Sequence, residues 1–224
     1  MNLSRVIKNM WFLLVCIFSG LTLLVITTGV QSGAGELTPF NNAVETAISH
    51  FRTPLLTTIM LFITNAGSPL VLSAIAIGLA ILLVLHRDTY DTLLYMVSIT
   101  LSIVSFIMMK NFLGIPRPVY SLVEQLSSWS YPSGHATVAT AFFFVTGYSF
   151  FSWPKTWSVK ISLVTLCLIG AGLVCFSRVY LGAHFALDVL AGISLGLLSV
   201  SFTILVFNIF LSEREWWRRK VRSL

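Results

Sequence analysis

The chain has 224 residues, of which 56% are hydrophobic and only 10% are charged, and its mean hydropathy is +0.89. Soluble domains carry about 25% charged residues, so this composition excludes an ordinary soluble domain and predicts a polytopic membrane protein. The formal net charge is +6, and basic residues crowd the two chain ends. Because basic residues beside an apolar span usually orient it and contact anionic lipid, we expect the lipid bilayer as a partner and no nucleic acid.

Long apolar runs without Asp, Glu, Lys or Arg predict six transmembrane helices. A bilayer core about 30 Å thick needs about 20 helical residues, and the first run has this length. In chain order, the predicted spans cover residues 11–30, 70–86, 92–109, 136–153, 161–177 and 189–211. The expected fold is therefore all-α, a polytopic membrane helical bundle that forms a single domain over residues 1–224.

Residues 38–69 predict short interfacial helices on the extracytoplasmic side. Thr38 and Pro39 suit the N-cap and the first position of a helix. Its apolar positions (40, 44, 47, 48 and 51) and polar positions (41, 45, 49 and 52) recur at helical spacing, which is typical of an amphipathic helix at a membrane surface. Gly67 and Pro69 indicate a break. The arm before it, residues 55–64, is about 15 Å long and cannot cross the core, so we expect a surface or re-entrant helix there.

The distribution of charge predicts the orientation of the bundle. With six spans and both termini in the cytoplasm, ten of the fourteen lysines and arginines lie on the cytoplasmic side, as the positive-inside rule requires. Arg52 and Glu124 lie outside and are interpreted as solvated charges, with a lipid head group as the alternative contact. Three polar clusters, residues 110–118, 132–135 and 177–188, then all fall at the extracytoplasmic end.

The first cluster carries two cations. Lys110 is expected near a helix end, because Gly114 and Pro116 end the helix. Pro118 restricts Arg117 to an extended backbone, so an ammonium and a planar guanidinium approach from different directions. Either these side chains bind an anion, or they reach up to the membrane surface as isolated charges.

The second cluster, Pro132, Ser133, Gly134 and His135, directly precedes an apolar helix. Free N–H groups and the helix dipole favour an anion at such an end. Ser133 can donate its hydroxyl, and Gly134 lets the backbone approach a ligand closely. The same residues also fit an ordinary capped helix start, and His135 alone fits an interfacial histidine.

The third cluster combines Ser177 and Arg178 with His184 and Asp188. A spacing of four places His184 and Asp188 on one face of a helix, where the carboxylate can hold the proton on one imidazole nitrogen and leave the other as a nucleophile. The alternative, a buried pair that joins two helices, poorly explains these charges at membrane depth. Two histidines and an aspartate are good zinc ligands, but three converging cations would repel a divalent ion, so we predict an anion site and no metal.

In order and spacing, these residues resemble the three signature motifs of the phosphatidic acid phosphatase type 2 (PAP2) superfamily, which also includes vanadium haloperoxidases and glucose-6-phosphatase. The matching patterns are Lys-x6-Arg-Pro, Pro-Ser-Gly-His and Ser-Arg-x5-His-x3-Asp, and every signature position is present. Six spans with an outward-facing site are similar to bacterial membrane lipid phosphatases of the phosphatidylglycerophosphatase B type over nearly the full chain.

This resemblance implies a metal-independent enzyme that needs no cofactor. His184 would be the nucleophile that forms a phosphohistidine, and Asp188 would orient it. His135 would protonate the leaving oxygen and then activate water. The phosphoryl oxygens would be bound by Lys110, Arg117, Ser133, Gly134 and Arg178.

We therefore expect a lipid phosphatase in the cytoplasmic membrane whose active site faces the extracytoplasmic side. Its expected substrate is a membrane lipid phosphate or diphosphate, with phosphatidylglycerol phosphate and undecaprenyl diphosphate as candidates. The alternative is a non-catalytic lipid-phosphate binder or a transporter. Transporters commonly carry broken helices in both halves, whereas the one break here, residues 64–69, has no counterpart. The sequence leaves the identity of the lipid and the oligomeric state open.

Overall fold

The computed structural model describes residues 3–34, 39–123 and 128–210, and over these ranges it contains eight α-helices and no β-strand. In chain order they are α1 (Leu3–Gly29), α2 (Pro39–Ser49), α3 (Pro54–Ala66), α4 (Pro69–Leu85), α5 (Thr89–Leu113), α6 (Gly134–Phe150), α7 (Trp157–Tyr180) and α8 (Ala186–Phe210). A π-helical segment, Val30–Ala34, follows α1. The all-α prediction is confirmed for the described part. Thr38, Glu124 and the basic tail at 214–222 lie outside the described residues.

Helices α1, α5, α7 and α8 are long and apolar enough to cross a membrane. Helices α3 and α4 form a further candidate as one pair, bent by 49° at the break between them. Helix α6 has 17 residues, which corresponds to about 25 Å. The predicted second span coincides with α4, and the short helix expected before it is α3. Several apolar helices therefore make this a multi-pass membrane protein.

The break between α3 and α4 is built from local capping groups. The Ser68 hydroxyl accepts a hydrogen bond from the Val71 amide at 3.3 Å, and Pro69 occupies the first turn of α4. The serine hydroxyl satisfies one of the free amides at the helix start, and proline has no amide hydrogen that would need an acceptor there. On the bundle side, a β-carbon added to Gly67 would overlap the side chain of Val174 in α7. The break therefore also lies in close contact with α7.

Helices α6 and α8 form the centre of the bundle, with α5 and α7 against α6 and α1 along α8. Two glycines permit the close approach of α8 to α6. A β-carbon on Gly192 would lie 2.7 Å from the carbonyl oxygen of Ser133, and one on Gly196 would lie 2.6 Å from that of Thr137. Small residues spaced by four are a common way for membrane helices to approach backbone to backbone. Asp188 lies one turn before Gly192, so this contact brings it beside the start of α6.

Helix α2 differs from the predicted amphipathic helix in the face that it buries. Val44 and Ile48 pack against the bundle as expected, but Phe40 is 48% exposed. The polar Asn41 is buried, and its side-chain oxygen accepts a hydrogen bond from the Leu187 amide at 3.2 Å. The reason is that the first turn of α8 has free amides, so a polar side chain is favoured where α2 covers that turn.

Candidate active site

The three polar clusters come together around one cavity of about 290 Å³ at one end of the bundle. Its wall combines cationic, imidazole and apolar side chains, namely Pro69, Phe106, Ile107, Lys110, Asn111, Arg117, Ser128, Gly134, His135 and His184. All three clusters contribute to this wall, although they are separated by many residues in the chain. The predicted convergence at one end of the bundle is therefore confirmed.

His184 lies in the loop between α7 and α8, not on a helix as its spacing from Asp188 predicted. The chain turns at Gly182, whose φ of +65° is in the left-handed region that glycine adopts freely. Asp188 is in the first turn of α8. The pair still meets, with His184 Nδ1 3.3 Å from Asp188 Oδ2, because the loop folds back over the start of α8.

The Asp188 carboxylate is held by three groups around one oxygen. Besides His184, Oδ2 accepts hydrogen bonds from the Ser130 hydroxyl at 2.5 Å and from the Phe185 amide at 3.0 Å. Ser130 Oγ is also 3.3 Å from His184 Nδ1. Since Ser130 gives its proton to Asp188, its oxygen is left to accept from the imidazole. Ser130 and Asp188 therefore both contact the Nδ1 edge of the His184 ring and fix its orientation.

These contacts assign the proton on the imidazole to Nδ1, which leaves a lone pair on Nε2. Burial lowers the pKa of His184 well below its ordinary value, and the nearby charges of Arg178, Lys110 and Arg117 lower it further. The ring is therefore neutral near pH 7. A neutral imidazole with a fixed tautomer has the form that a nitrogen nucleophile needs.

Arg117 joins two parts of the site. Its Nε donates to the Ser128 carbonyl oxygen at 2.8 Å, and its Nη2 donates to the Ser128 hydroxyl at 3.0 Å. Its Nη1 donates to the Ala183 carbonyl oxygen at 2.8 Å and lies 3.3 Å from His184 Nε2. Burial lowers the pKa of Arg117, and Asp188 acts in the opposite direction. The guanidinium thus faces the free lone pair of His184, where a bound anion would also lie.

Lys110 is in the last turn of α5, which ends at Gly114 with a φ of +61°, as predicted. The ammonium is largely buried and donates to the Trp129 carbonyl oxygen at 2.5 Å. The Ser130 carbonyl oxygen lies 3.4 Å from the same nitrogen. Lys110 therefore both lines the cavity and fixes the backbone that carries Ser130.

Arg178 is buried in the last turn of α7, with an exposed fraction of 2%. Its Nη1 donates to the Thr64 hydroxyl of α3 at 2.6 Å. Its Nε and Nη2 have no hydrogen-bond partner among the residues that the structure describes. Buried guanidinium donors normally have acceptors, so an anion at this position would satisfy groups that the protein leaves open.

The second cluster forms the start of α6. Ser133 is fully buried and is the N-cap, with its hydroxyl accepting from the Ala136 amide at 3.4 Å. Its own amide donates to the Asp188 carbonyl oxygen at 3.0 Å. Gly134 and His135 line the cavity in the first turn. Ser177 is buried and bonds within α7 to the Val174 carbonyl oxygen, so it does not reach the cavity wall.

Sequence reasoning missed several residues that support the site. Ser130 and Ser128 lie just before the Pro-Ser-Gly-His pattern, and Thr64 lies in the broken segment. The Tyr131 hydroxyl is 2.7 Å from the Thr27 hydroxyl of α1, which anchors the same loop, and burial raises the pKa of Tyr131 to about 12. Only the positions of Ser128 and Ser130 just before a motif offered a signal. The other contacts join segments far apart in the chain.

The arrangement suits phosphoryl chemistry. Two histidines and two cations, Lys110 and Arg117, line one small cavity, and the charge of Arg178 acts on the same His184. Charge that spreads over phosphoryl oxygens is stabilised by such fixed cations. Within the described ranges, no three His, Cys, Asp or Glu side chains form a group that could hold a metal ion.

Comparison with known proteins agrees with this geometry. The family model described as PAP2 superfamily matches residues 91–211. Phosphatidylglycerophosphatase B of Bacillus subtilis is 31% identical over 181 residues, which cover 78% of this chain and 86% of the relative. The undecaprenyl-diphosphatase of Sulfolobus acidocaldarius is 27% identical over 84% of this chain and 87% of the relative. The crystal structure of a transmembrane PAP2 type phosphatidylglycerolphosphate phosphatase from Bacillus subtilis superposes with a TM-score of 0.78 and 26% identity, covering 87% of this chain and 96% of that chain.

Proposed function

The chain belongs to the PAP2 superfamily and is a phosphatase, and on that premise we propose that it removes the terminal phosphate from a membrane lipid phosphate or diphosphate through a phosphohistidine intermediate. The observation that carries this proposal is the setting of His184. Its Nδ1 faces Asp188 and Ser130, and its Nε2 faces the Arg117 guanidinium in the cavity.

In the first step, His184 Nε2 attacks the phosphorus atom. The nitrogen–phosphorus bond forms as the bond from phosphorus to the lipid oxygen breaks, and protonated His135 gives its proton to that oxygen. The Arg117 guanidinium, which is 3.3 Å from Nε2 without substrate, transfers its hydrogen bond to a phosphoryl oxygen. A positioned acid typically contributes 10²- to 10⁴-fold, because an alkoxide is a poor leaving group.

Binding of the phosphoryl group uses the cationic and helix-end donors of the site, of which two nitrogens of Arg178 have no partner among the described residues. Arg178 contributes Nε and Nη2, Arg117 contributes Nη1, and the Lys110 ammonium adds charge. The Gly134 amide belongs to the start of α6, where the helix dipole favours an anion. Ser133 is part of the same proposed set, with its hydroxyl free to donate when it turns from its capping contact.

In the second step, water attacks the phosphohistidine. His135, now neutral, accepts a proton from this water, the nitrogen–phosphorus bond breaks, and inorganic phosphate leaves. His184 returns to the neutral form with its proton on Nδ1, and His135 is again protonated for the next cycle. Asp188 stays ionised and stabilises the charged His184 ring during both steps.

The fold supports a substrate that stays in the bilayer. We infer six spans, with the bent pair α3 and α4 counted as one and α6 as another, and both termini in the cytoplasm. The positive-inside distribution of basic residues supports this orientation and an extracytoplasmic site. Pro69, Phe106 and Ile107 form the apolar side of the cavity, which suits the first carbons of a lipid tail. The names of the two curated relatives make phosphatidylglycerol phosphate and undecaprenyl diphosphate the substrates to test first.

The test is phosphate release from both lipids by the purified full-length protein and by H184A. The variant should lose at least about 10³-fold in rate, because the nucleophile is absent. Substrate labelled with ³²P should leave acid-labile label on the wild-type protein after a rapid quench, and none on H184A. The matched control is H50A at an exposed histidine in the turn after α2, which should retain full activity.

Two results would contradict the proposal. Wild-type turnover by H184A would remove the phosphohistidine mechanism, and so would a strict need for added divalent metal after treatment with EDTA. Binding of lipid phosphate by the wild-type protein without any phosphate release would favour the non-catalytic binder or transporter instead.

A further inference from the structure

A second and larger cavity, a groove of about 630 Å³, opens along the bundle away from His184. On α6 the lining begins at Thr140 and continues past the end of the helix to Ser152, whereas His135 is in the first turn of α6. On α7 it is lined by residues between Val164 and Ala171, whereas Arg178 is in the last turn. Its volume is in the range of ligand sites.

Helix α1 packs mainly along α8, and the groove is lined by residues of α1, α6 and α7 with Leu197 of α8. Phe12 of α1 reaches α6, where its ring is 5.5 Å from that of Tyr148 and 6.5 Å from that of Phe144. These rings close the inner side of the groove. The outer side is open to the surrounding membrane, since Leu168 is 69% exposed and Trp11 is 65% exposed. A hydrocarbon chain of the bilayer is therefore the material in contact with the opening.

A cation lies at the end of the groove farthest from the catalytic cavity. The Lys160 ammonium is 5.1 Å from the centre of the Phe151 ring, which lines the groove, and 5.3 Å from the centre of the Trp157 ring. Trp11 and the 71% exposed Trp157 belong to the same end of the bundle. Exposed tryptophans at helix ends are typical of the head-group level of a membrane. The groove thus has a hydrocarbon-lined body and a positive charge at head-group level.

We propose that this groove is a binding site for one anionic phospholipid of the leaflet opposite the catalytic end, with an acyl chain along α6 and the head-group phosphate at Lys160. The charge of Lys160 favours an anionic over a zwitterionic head group. The occupant is not the tail of a substrate in the catalytic cavity, because that cavity borders Pro69, Phe106 and Ile107 and shares no lining residue with the groove. The site goes beyond the proposed function and does not depend on it.

The experiment is native mass spectrometry of the full-length protein in detergent with equal concentrations of dioleoyl phosphatidylglycerol and dioleoyl phosphatidylcholine. The wild-type protein should retain one tightly bound lipid with about fivefold preference for phosphatidylglycerol, which corresponds to about 1 kcal/mol for one lysine near an anionic lipid. L168W should fill the groove and lose this lipid. L166W is the matched control, because Leu166 is on the same helix with 66% exposure but does not line the groove.

The head-group contact is tested by K160Q, with K155Q in the neighbouring loop as its control. K160Q should bind the two lipids about equally, and K155Q should keep the wild-type preference for phosphatidylglycerol. Phosphate release in detergent should be unchanged in L168W and K160Q, which also reports that both variants are folded. If L168W is inactive, A171F fills the same groove and takes its place.

Retention of the lipid by L168W at the wild-type level would overturn the site. Equal binding of the two lipids by the wild-type protein, or an equal loss of preference in K155Q and K160Q, would overturn the contact with Lys160.

Discussion

At the scale of single residues, the site depends on side chains outside the motifs as much as on those within them. Lys110 and Arg117 donate to carbonyl oxygens at 128–130 as well as facing the cavity. Ser130 then presents its hydroxyl to the histidine and aspartate pair. Fixed donors of this kind avoid reorganisation when charge develops in a transition state. The motif cations consequently have a structural task in addition to the proposed binding of phosphate.

Ser130→Ala should lower kcat about 10- to 100-fold and leave KM nearly unchanged. The hydroxyl donates to a carboxylate, and such bonds contribute about 1.5–3 kcal/mol. The variant should therefore misorient His184, the proposed nucleophile, without removing a contact to substrate. Ser199→Ala is the control, because that buried hydroxyl bonds only within α8 to the Leu195 carbonyl oxygen in the part of the chain described. An unchanged kcat in Ser130→Ala would contradict this role.

Thr64→Val should raise KM about tenfold, because the variant keeps the side-chain shape but removes the acceptor 2.6 Å from Arg178 Nη1. Loss of a bond to a buried charged group costs about 1–3 kcal/mol. Inhibition by inorganic phosphate should weaken by the same factor, which a purely structural effect would not produce. Thr64→Ser retains the hydroxyl and should behave as wild type. The same KM in Thr64→Val and the wild-type protein would disprove the contribution of Thr64.

At the scale of elements, the contact between α6 and α8 determines where the proposed catalytic groups lie. The Ser133 amide donates to the Asp188 carbonyl oxygen at 3.0 Å, so the start of α6 and the start of α8 are joined directly. This bond requires the absence of a side chain at Gly192. Helix α2 adds a second restraint on the same turn through Asn41 and the Leu187 amide.

Gly192→Ala should lower the free energy of unfolding by about 1–3 kcal/mol and reduce phosphate release. The added methyl group would lie 2.7 Å from the Ser133 carbonyl oxygen, so α8 must move away from α6. This movement would shift Asp188 relative to His184. Denaturant unfolding and initial rates measure the two effects. Gly172→Ala is the control, since its β-carbon meets no atom within 4 Å. A Gly192→Ala protein with wild-type stability would show that the helices can separate at no cost.

At the scale of the whole molecule, burial of neutral His184 links stability to pH. The pKa of His184 is well below 6.5 in the folded protein and about 6.5 in the unfolded chain. Between these two values the unfolded state binds more protons, so folded stability is lost as the pH falls below about 6.5.

The free energy of unfolding of the wild-type protein should therefore fall by up to about 1.4 kcal/mol more per pH unit below pH 6.5 than that of His184→Gln, which cannot take up this proton. Denaturant titrations at pH 7.5, 6.5 and 5.5 measure the difference. Parallel curves for the two proteins would contradict a neutral, buried His184. The comparison isolates one group, because the other titratable residues are present in both proteins.

The broad class of the protein and the members of its motifs follow from the sequence. An apolar run is a local feature of the sequence, and a segment in lipid must form its backbone hydrogen bonds within itself, as a helix does. The positions of α1, α4, α5, α7 and α8 were therefore predictable from composition. Charges inside such runs are costly, which is why Lys110, Arg117, Arg178 and Asp188 stood out. The helix stop at Gly114 was equally local.

The tertiary structure alone decided how these residues act together. It placed His184 in a loop. It also formed the hydrogen bond between Arg178 and Thr64, which are 114 residues apart, and the one between Ser130 and Asp188, which are 58 residues apart. It also formed a groove that residues of α1, α6, α7 and α8 line together. Helical periodicity indicates which positions of one segment face away from water or lipid. Contacts between distant segments depend on how whole helices pack. That packing depends on the fit between the surfaces of several helices, which the sequence of one segment does not specify.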